Sequence, residues 1–227
     1  MTKPNSKQHS LATVSIPRQT PRALLEQLQQ GCDELNLVLS LEQQKQLVNY
    51  VELLDKWNKV YNLTSVRDPQ EMISRHILDS LAILPYLTGS TLLDVGTGGG
   101  LPGIPLAIAQ PELAVTLLDS NSKKTRFLQQ AKAELALENI TVVHARIEKA
   151  ELPKFAMVTA RAFAKIDQII DLAGRHCDDA GSLLLMKATK AEDELPSVMG
   201  GFNLQQVVSL DVPGCSGQRQ LVCLLKN

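Results

Sequence analysis

The order of apolar and polar positions divides the chain into two rhythms. As far as about residue 90 the apolar side chains recur at helical spacing, and from Thr91 they gather in short β-rich runs. A first helical pattern carries Leu24, Leu25 and Leu28 and is expected to break around Gly31. It resumes after Ser40, whose hydroxyl, with Gln43 three residues on, fits a capping box that pairs two otherwise orphaned amides. Leu47, Val51, Leu54 and Tyr61 then share one face, with Val48 and Trp57 beside them. Asp68-Pro69-Gln70-Glu71 predicts another helix start, with an acidic cap and a proline where the missing N–H costs nothing. Met72, Ile73, Ile77, Leu81 and Leu84 continue that helix.

Runs at 92–95, 115–119, 140–144, 157–161 and 183–187 alternate with helical stretches, which implies parallel pairing through right-handed crossovers. No helical pattern separates the last two runs, 204–210 and 220–225. The Pro213-Gly214 and Ser216-Gly217 turns between them predict a closing antiparallel pair. The expected fold is α/β, a seven-stranded and mostly parallel sheet over 90–227 preceded by a helical extension over 22–89. A dinucleotide fold of six parallel strands does not close in this way. Residues 1–21, with Pro4, Pro17 and Pro21 and few large apolar side chains, are expected to form a flexible tail.

Composition narrows the function. The 227 residues are 44% hydrophobic, enough for one substantial core. No apolar run approaches the roughly 20 residues that cross a bilayer, and the basic N-terminal stretch lacks the apolar segment of a secretory signal. A cytoplasmic protein is expected. Cys32, Cys177, Cys215 and Cys223 are scattered without metal-ligand spacing, so they read as small apolar residues and no metal is expected. The net charge of −1 gives no global attraction for nucleic acid, so an RNA site has to be a local basic patch.

The densest chemistry lies at 92–103. There Leu92-Leu93-Asp94-Val95-Gly96-Thr97-Gly98-Gly99-Gly100-Leu101-Pro102-Gly103 leaves a buried strand and opens a helix, where open α/β sheets bind ligands. Gly98-x-Gly100-x-x-Gly103 alone also satisfies the dinucleotide pattern. Asp94 at the strand end suits a cofactor with an ammonium and a sulfonium, S-adenosylmethionine, and would repel a pyrophosphate. Asp119, at the end of the second strand, is placed to accept both hydroxyls of a ribose under either reading. A structural turn with a helix-capping acid is the plainer alternative.

Asn62-Leu63-Thr64, Arg75-His76-Ile77-Leu78-Asp79-Ser80-Leu81, the glycine stretch 94–105 and Arg161-Ala162-Phe163-Ala164 together resemble the bacterial 16S rRNA guanine-N7 methyltransferase family RsmG, also called glucose-inhibited division protein B. The resemblance runs over about residues 24–226. It implies a class I, Rossmann-like fold, S-adenosylmethionine as methyl donor, and as partner 16S rRNA or the 30S subunit, with guanine 527 of the 530 loop as target. It further implies that Gly96 and Leu101, beside Asp94, Gly98, Gly100 and Asp119, bind the donor. Ile147 and Glu148 would frame its adenine, and Arg161 would close the site. Ala160, Ala188 and Gln220 depart from the Ser, Gly and His that the family usually carries there.

Guanine N7 bears an in-plane lone pair, so methylation needs no general base, and positioning supplies the catalysis. Arg161 is the candidate catalytic group, donating to guanine O6. Phe163 is a candidate base-stacking residue, although a core position is the more ordinary use of a phenylalanine. Lys123, Lys124, Arg126, Lys165, Lys187 and Arg219 are candidate RNA contacts, against the alternative of solvated helix faces. His76 and Asp79 lie three apart on one helical face with Arg75 beside them, a polar cluster expected to pack the extension against the sheet, with RNA contact as the second reading. No obligate protein partner is expected, and a monomer is the default. The rival functions are a nicotinamide-dependent oxidoreductase, for which no catalytic His or Tyr-Lys pair stands out, and a small-molecule methyltransferase.

Overall fold

The computed structural model describes residues 21–188, 191, 195 and 200–227. The expected flexible tail falls outside them, apart from Pro21, which opens α1 (Pro21–Glu34). That helix runs through Gly31 rather than breaking there, because the glycine is a packing site. A Cβ on it would collide with Leu78. α2 (Leu41–Tyr61) begins at the Ser40 capping box, with both reciprocal hydrogen bonds formed. At Asp68 the carboxylate accepts from the Gln70 amide and starts α3 (Pro69–Met72). The helix continues through a π-helical turn (Ile73–Leu78) into α4 (Asp79–Leu81).

The strands are β1 (Thr91–Val95), β2 (Ala114–Asp119), β3 (Ile140–His144), β4 (Phe155–Arg161), β5 (Cys177–Lys187), β6 (Phe202–Ser209) and β7 (Gln220–Lys226). They form one sheet in the order β3-β2-β1-β4-β5-β7-β6. Pairings from β3 through β5 are parallel, and β7 is antiparallel to both neighbours, as the missing helical pattern before it predicts. α5 (Gly103–Ala109) and α6 (Ser122–Glu134) make the first two crossovers, and α7 (Ile166–Ala173) joins β4 to β5.

Alternation along the strands feeds two cores. Leu92, Val115, Leu117, Met157 and Leu184 point to the face shared with α1, α2, α5 and α6. Leu93, Val95, Leu118, Val158 and Leu185 point to the other, which α7 covers. The helical extension therefore has no core of its own; it completes one side of the sheet. Cys32, Cys177 and Cys223 are buried in these cores as small apolar residues. Strand order reverses between β1 and β4, and a crevice opens beyond their carboxyl ends, the usual ligand position in such sheets. No helix of the described residues is long and apolar enough to cross a membrane.

Candidate active site

Gly96 follows β1 with a φ of 65°, and a Cβ there would run into the ring of Phe163. Only glycine meets both demands. Asp94, one residue from the strand end, is wholly buried under the loop that follows. Its Oδ2 accepts from the Thr97 hydroxyl at 2.6 Å and from the Gly103 amide at 2.8 Å, while Oδ1 has no partner. Burial pushes its carboxyl up to about 6, against those two hydrogen bonds. Tyr50 of α2, also buried, donates from its hydroxyl to the Gly99 carbonyl at 2.6 Å and ties the helical extension to the same loop. Asp119 accepts from the Gly98 amide at 2.9 Å and the Asn121 amide at 2.8 Å, with Lys124 Nζ 3.7 Å away.

Beside this loop lies a cavity of about 350 Å³ whose wall includes Gly96, Asp119, Lys124, Ile147, Glu148 and Phe163. It joins a backbone stripped of side chain, a nearly buried carboxylate and an apolar surface at Ile147. That set fits an adenosine carrying a short charged tail.

A second cavity, of about 320 Å³, adjoins it and shares Ala162 in its wall. Arg75, Arg161, Lys187 and Arg219 surround it, with Asp79 as the carboxylate among them. Arg161 Nη1 lies 3.0 Å from Asp79 Oδ2, and Arg219 Nε lies 3.2 Å from Oδ1. Lys187 Nζ donates to the Ala164 carbonyl at 2.9 Å. His76 is held at both ring nitrogens, Nδ1 donating to the Arg75 carbonyl at 2.9 Å and Nε2 facing the Thr64 hydroxyl at 2.8 Å. Burial first, then the charge of Arg161, lowers its pKa to about 4, so it is neutral near pH 7 and has no free lone pair for the cavity.

The rRNA small subunit methyltransferase G family model, GidB, matches residues 43–223. The chain belongs to the GidB family. A ribosomal RNA small subunit methyltransferase G from Ectopseudomonas mendocina is 51% identical over 89% of this chain and 96% of its own length. That of Pseudomonas aeruginosa PAO1 is 48% identical over 89% and 95%. Among solved structures, a SAM dependent methyltransferase from Aquifex aeolicus superposes with a TM-score of 0.55 at 18% identity, covering 73% of this chain and 97% of that one. TrmN from Thermus thermophilus gives 0.51 at 17%, covering 68% and 53%. At those identities the structures establish the fold alone, a class I methyltransferase sheet. Family and fold together dispose of the nicotinamide-dependent alternative.

In this GidB chain Gly96, Asp119, Ile147 and Glu148 stand together in the first cavity, where the sequence puts the donor. Asp94 does not line it and acts on the loop from below. Gly98 reaches it through its hydrogen bond to Asp119, whereas Gly100 packs against Ile104 and Leu101 is buried in the core. Arg161, expected at both donor and acceptor, lines only the second cavity, with Lys187 and Arg219. Lys124 and Phe163, expected to meet RNA, line the first. Lys123, Arg126 and Lys165 are exposed outside both cavities. Sequence reasoning missed Tyr50, although its spacing from Leu47 and Leu54 puts it on the buried face of α2. It also missed the pairing of Asp79 with two arginines, for which no local signal exists.

Proposed function

We propose that this protein transfers the methyl group of S-adenosylmethionine to N7 of a guanine in 16S rRNA of the small ribosomal subunit, and that the target is guanine 527 of the 530 loop. The observation that carries this reading is the pair of adjoining cavities. One has a carboxylate and an apolar surface that suit an adenosine, the other is ringed by cations, and both include Ala162 in their walls. S-adenosylmethionine supplies an electrophilic methyl carbon on a sulfonium. Asp119 accepts the ribose hydroxyls, Ile147 faces the adenine, and Gly96 lets the amino-acid tail pass close to the backbone. In the second cavity Arg161 donates to guanine O6 and leaves N7 unobstructed toward the first. Its partner Asp79 balances part of the positive charge there, so the methylated ring, which becomes cationic, is tolerated. Arg219 and Lys187 face phosphates of the flanking RNA. With His76 neutral and its nitrogens engaged, and with guanine N7 needing no deprotonation, alignment of the reacting atoms carries the catalysis. An rRNA substrate places the reaction in the cytoplasm.

The test is to incubate the protein with radiolabelled S-adenosylmethionine and 30S subunits, naked 16S rRNA or no RNA, then cleave chemically at N7-methylguanine. Cleavage at guanine 527 is expected. Label on another atom overturns the chemistry, and cleavage at another guanine overturns the target. Comparison of the RNA arms reads which form of the substrate is used.

A further inference from the structure

We propose that the aromatic ring of Phe163 recognises the positive charge of the methyl donor, so that donor and spent product are told apart by charge. This rests on the reading that S-adenosylmethionine binds the first cavity. The other three phenylalanines, Phe127, Phe155 and Phe202, are at most 5% exposed, whereas Phe163 is 38% exposed. Core packing explains those three and not this one. Its ring lies against Gly96 and in the wall of the donor cavity. The preceding residue, Ala162, with a φ of 49°, lines both cavities, so the 162–163 segment is the partition between them.

A methyl group that passes from donor to acceptor crosses at that partition. The sulfonium that carries it therefore rests on the donor side, against Phe163. Among the described residues, the carboxylates near that wall are otherwise placed. Asp94 is absent from the cavity wall, Asp119 is held by two backbone amides with Lys124 near, and Glu148 is exposed to solvent. An aromatic face attracts a desolvated cation without locking it in an ion pair. In the transfer the N7 lone pair forms the new bond to carbon as the sulfur–carbon bond breaks, its electron pair staying on sulfur. The charge moves to the guanine, the sulfur becomes neutral, and the ring's attraction ends. No proton moves.

Calorimetry on the full chain tests this with three ligands: S-adenosylmethionine, sinefungin, which carries an ammonium in place of the sulfonium, and the neutral S-adenosylhomocysteine. Phe163→Leu is expected to weaken the two charged ligands by about fivefold to tenfold and the neutral one by less than about twofold. Phe163→Tyr should match the wild type. Phe163→Met repeats the comparison with a second ring-free side chain should the leucine variant melt early. Equal weakening of all three ligands, or no change in any, overturns the proposal. Failure of the wild-type chain to bind S-adenosylmethionine overturns the donor assignment and this proposal with it. Methylation at a different RNA atom overturns the acceptor assignment and leaves the charge recognition standing.

Discussion

Asp79 Oδ2 and Arg161 Nη1 lie 3.0 Å apart, across 82 residues of chain, and this pair joins the helical extension to the carboxyl end of β4. Arg219 reaches the other oxygen of the same carboxylate. One acid thus stands against two guanidinium groups that face the second cavity, hydrogen-bonded to Arg161 through Oδ2 and in ionic contact with Arg219 at Oδ1, which makes no hydrogen bond. Asp79→Asn keeps the shape and removes the charge. It should lower stability by about 1–3 kcal/mol, since two buried or half-buried cations lose their counter-ion. Activity on the ribosomal substrate should fall by at least about tenfold, because Arg161 loses its charged hydrogen-bond partner and Arg219 its counter-ion. S-adenosylmethionine affinity, measured by calorimetry, should hold. A parallel loss of donor binding would show that the carboxylate supports the whole crevice and not the acceptor side.

Arg161→Lys separates charge from shape. Lysine has one compact ammonium, so it cannot hold Asp79 and the Arg75 carbonyl, at 3.0 and 3.1 Å, while still presenting a planar donor to guanine O6. Methyl transfer should drop by about 100-fold with near-normal protein stability. Full activity of this variant in a single-turnover assay would remove Arg161 from the chemistry.

Tyr50→Phe probes the link between extension and glycine loop. The substitution leaves the Gly99 carbonyl without its donor in a buried setting, at a cost of about 1–2 kcal/mol. A loosened loop should also weaken donor binding several-fold. Thermal unfolding with and without S-adenosylmethionine checks both. An unchanged ligand-induced shift would confine Tyr50 to structure.

The strands were legible because β-rich runs and crossover helices repeat on a scale that periodicity captures, and the missing helix before β7 gave its direction. Gly96 and Asp119 could be read as cavity-lining candidates because they lie at strand ends, where the fold itself specifies position, whereas Ile147 and Glu148, in a short turn after β3, came from the family resemblance alone. Direction beyond the strand ends was not legible. Phe163 lines the first cavity just after Ala162, which adopts a left-handed φ, and nothing in Arg-Ala-Phe announces that turn. The π-helical turn was equally hidden, since it alters hydrogen bonds without breaking the apolar pattern. Gly31 misled by resembling a helix break when its role is to admit Leu78. Of the three departures from the family pattern, Gln220 is used locally, its Oε1 accepting from the Ala191 amide at 2.7 Å, and Ala188 lies in the second cavity wall. Ala160 is buried in β4, and nothing in the structure explains its replacement of a serine.

Asp94 makes stability depend on pH in a direction opposite to most carboxylates. Its pKa is raised from 3.8 to about 6 in the folded chain, so the folded state holds the proton more tightly than the unfolded one. The protonated carboxyl's contribution is complete below pH 3.8 and is lost as pH rises through about 6. Above that, the ionised buried group costs on the order of 3 kcal/mol. Asp94→Asn removes this titration. Relative to the wild type, the variant should therefore gain stability between pH 4.5 and pH 7.5, as read from urea unfolding at both values. A difference that is constant or reversed would mean that the Thr97 and Gly103 hydrogen bonds outweigh burial.

The rate of methyl transfer itself should not follow a base. Guanine N7 needs no deprotonation, and His76, lowered to about 4, stays neutral with both nitrogens occupied. Single-turnover rates with saturating donor and 30S subunits should then be flat from about pH 7 to 9, above the titration of Asp94. A rising limb in that range would require a group that loses a proton to become active. The account of catalysis by alignment alone would then fail.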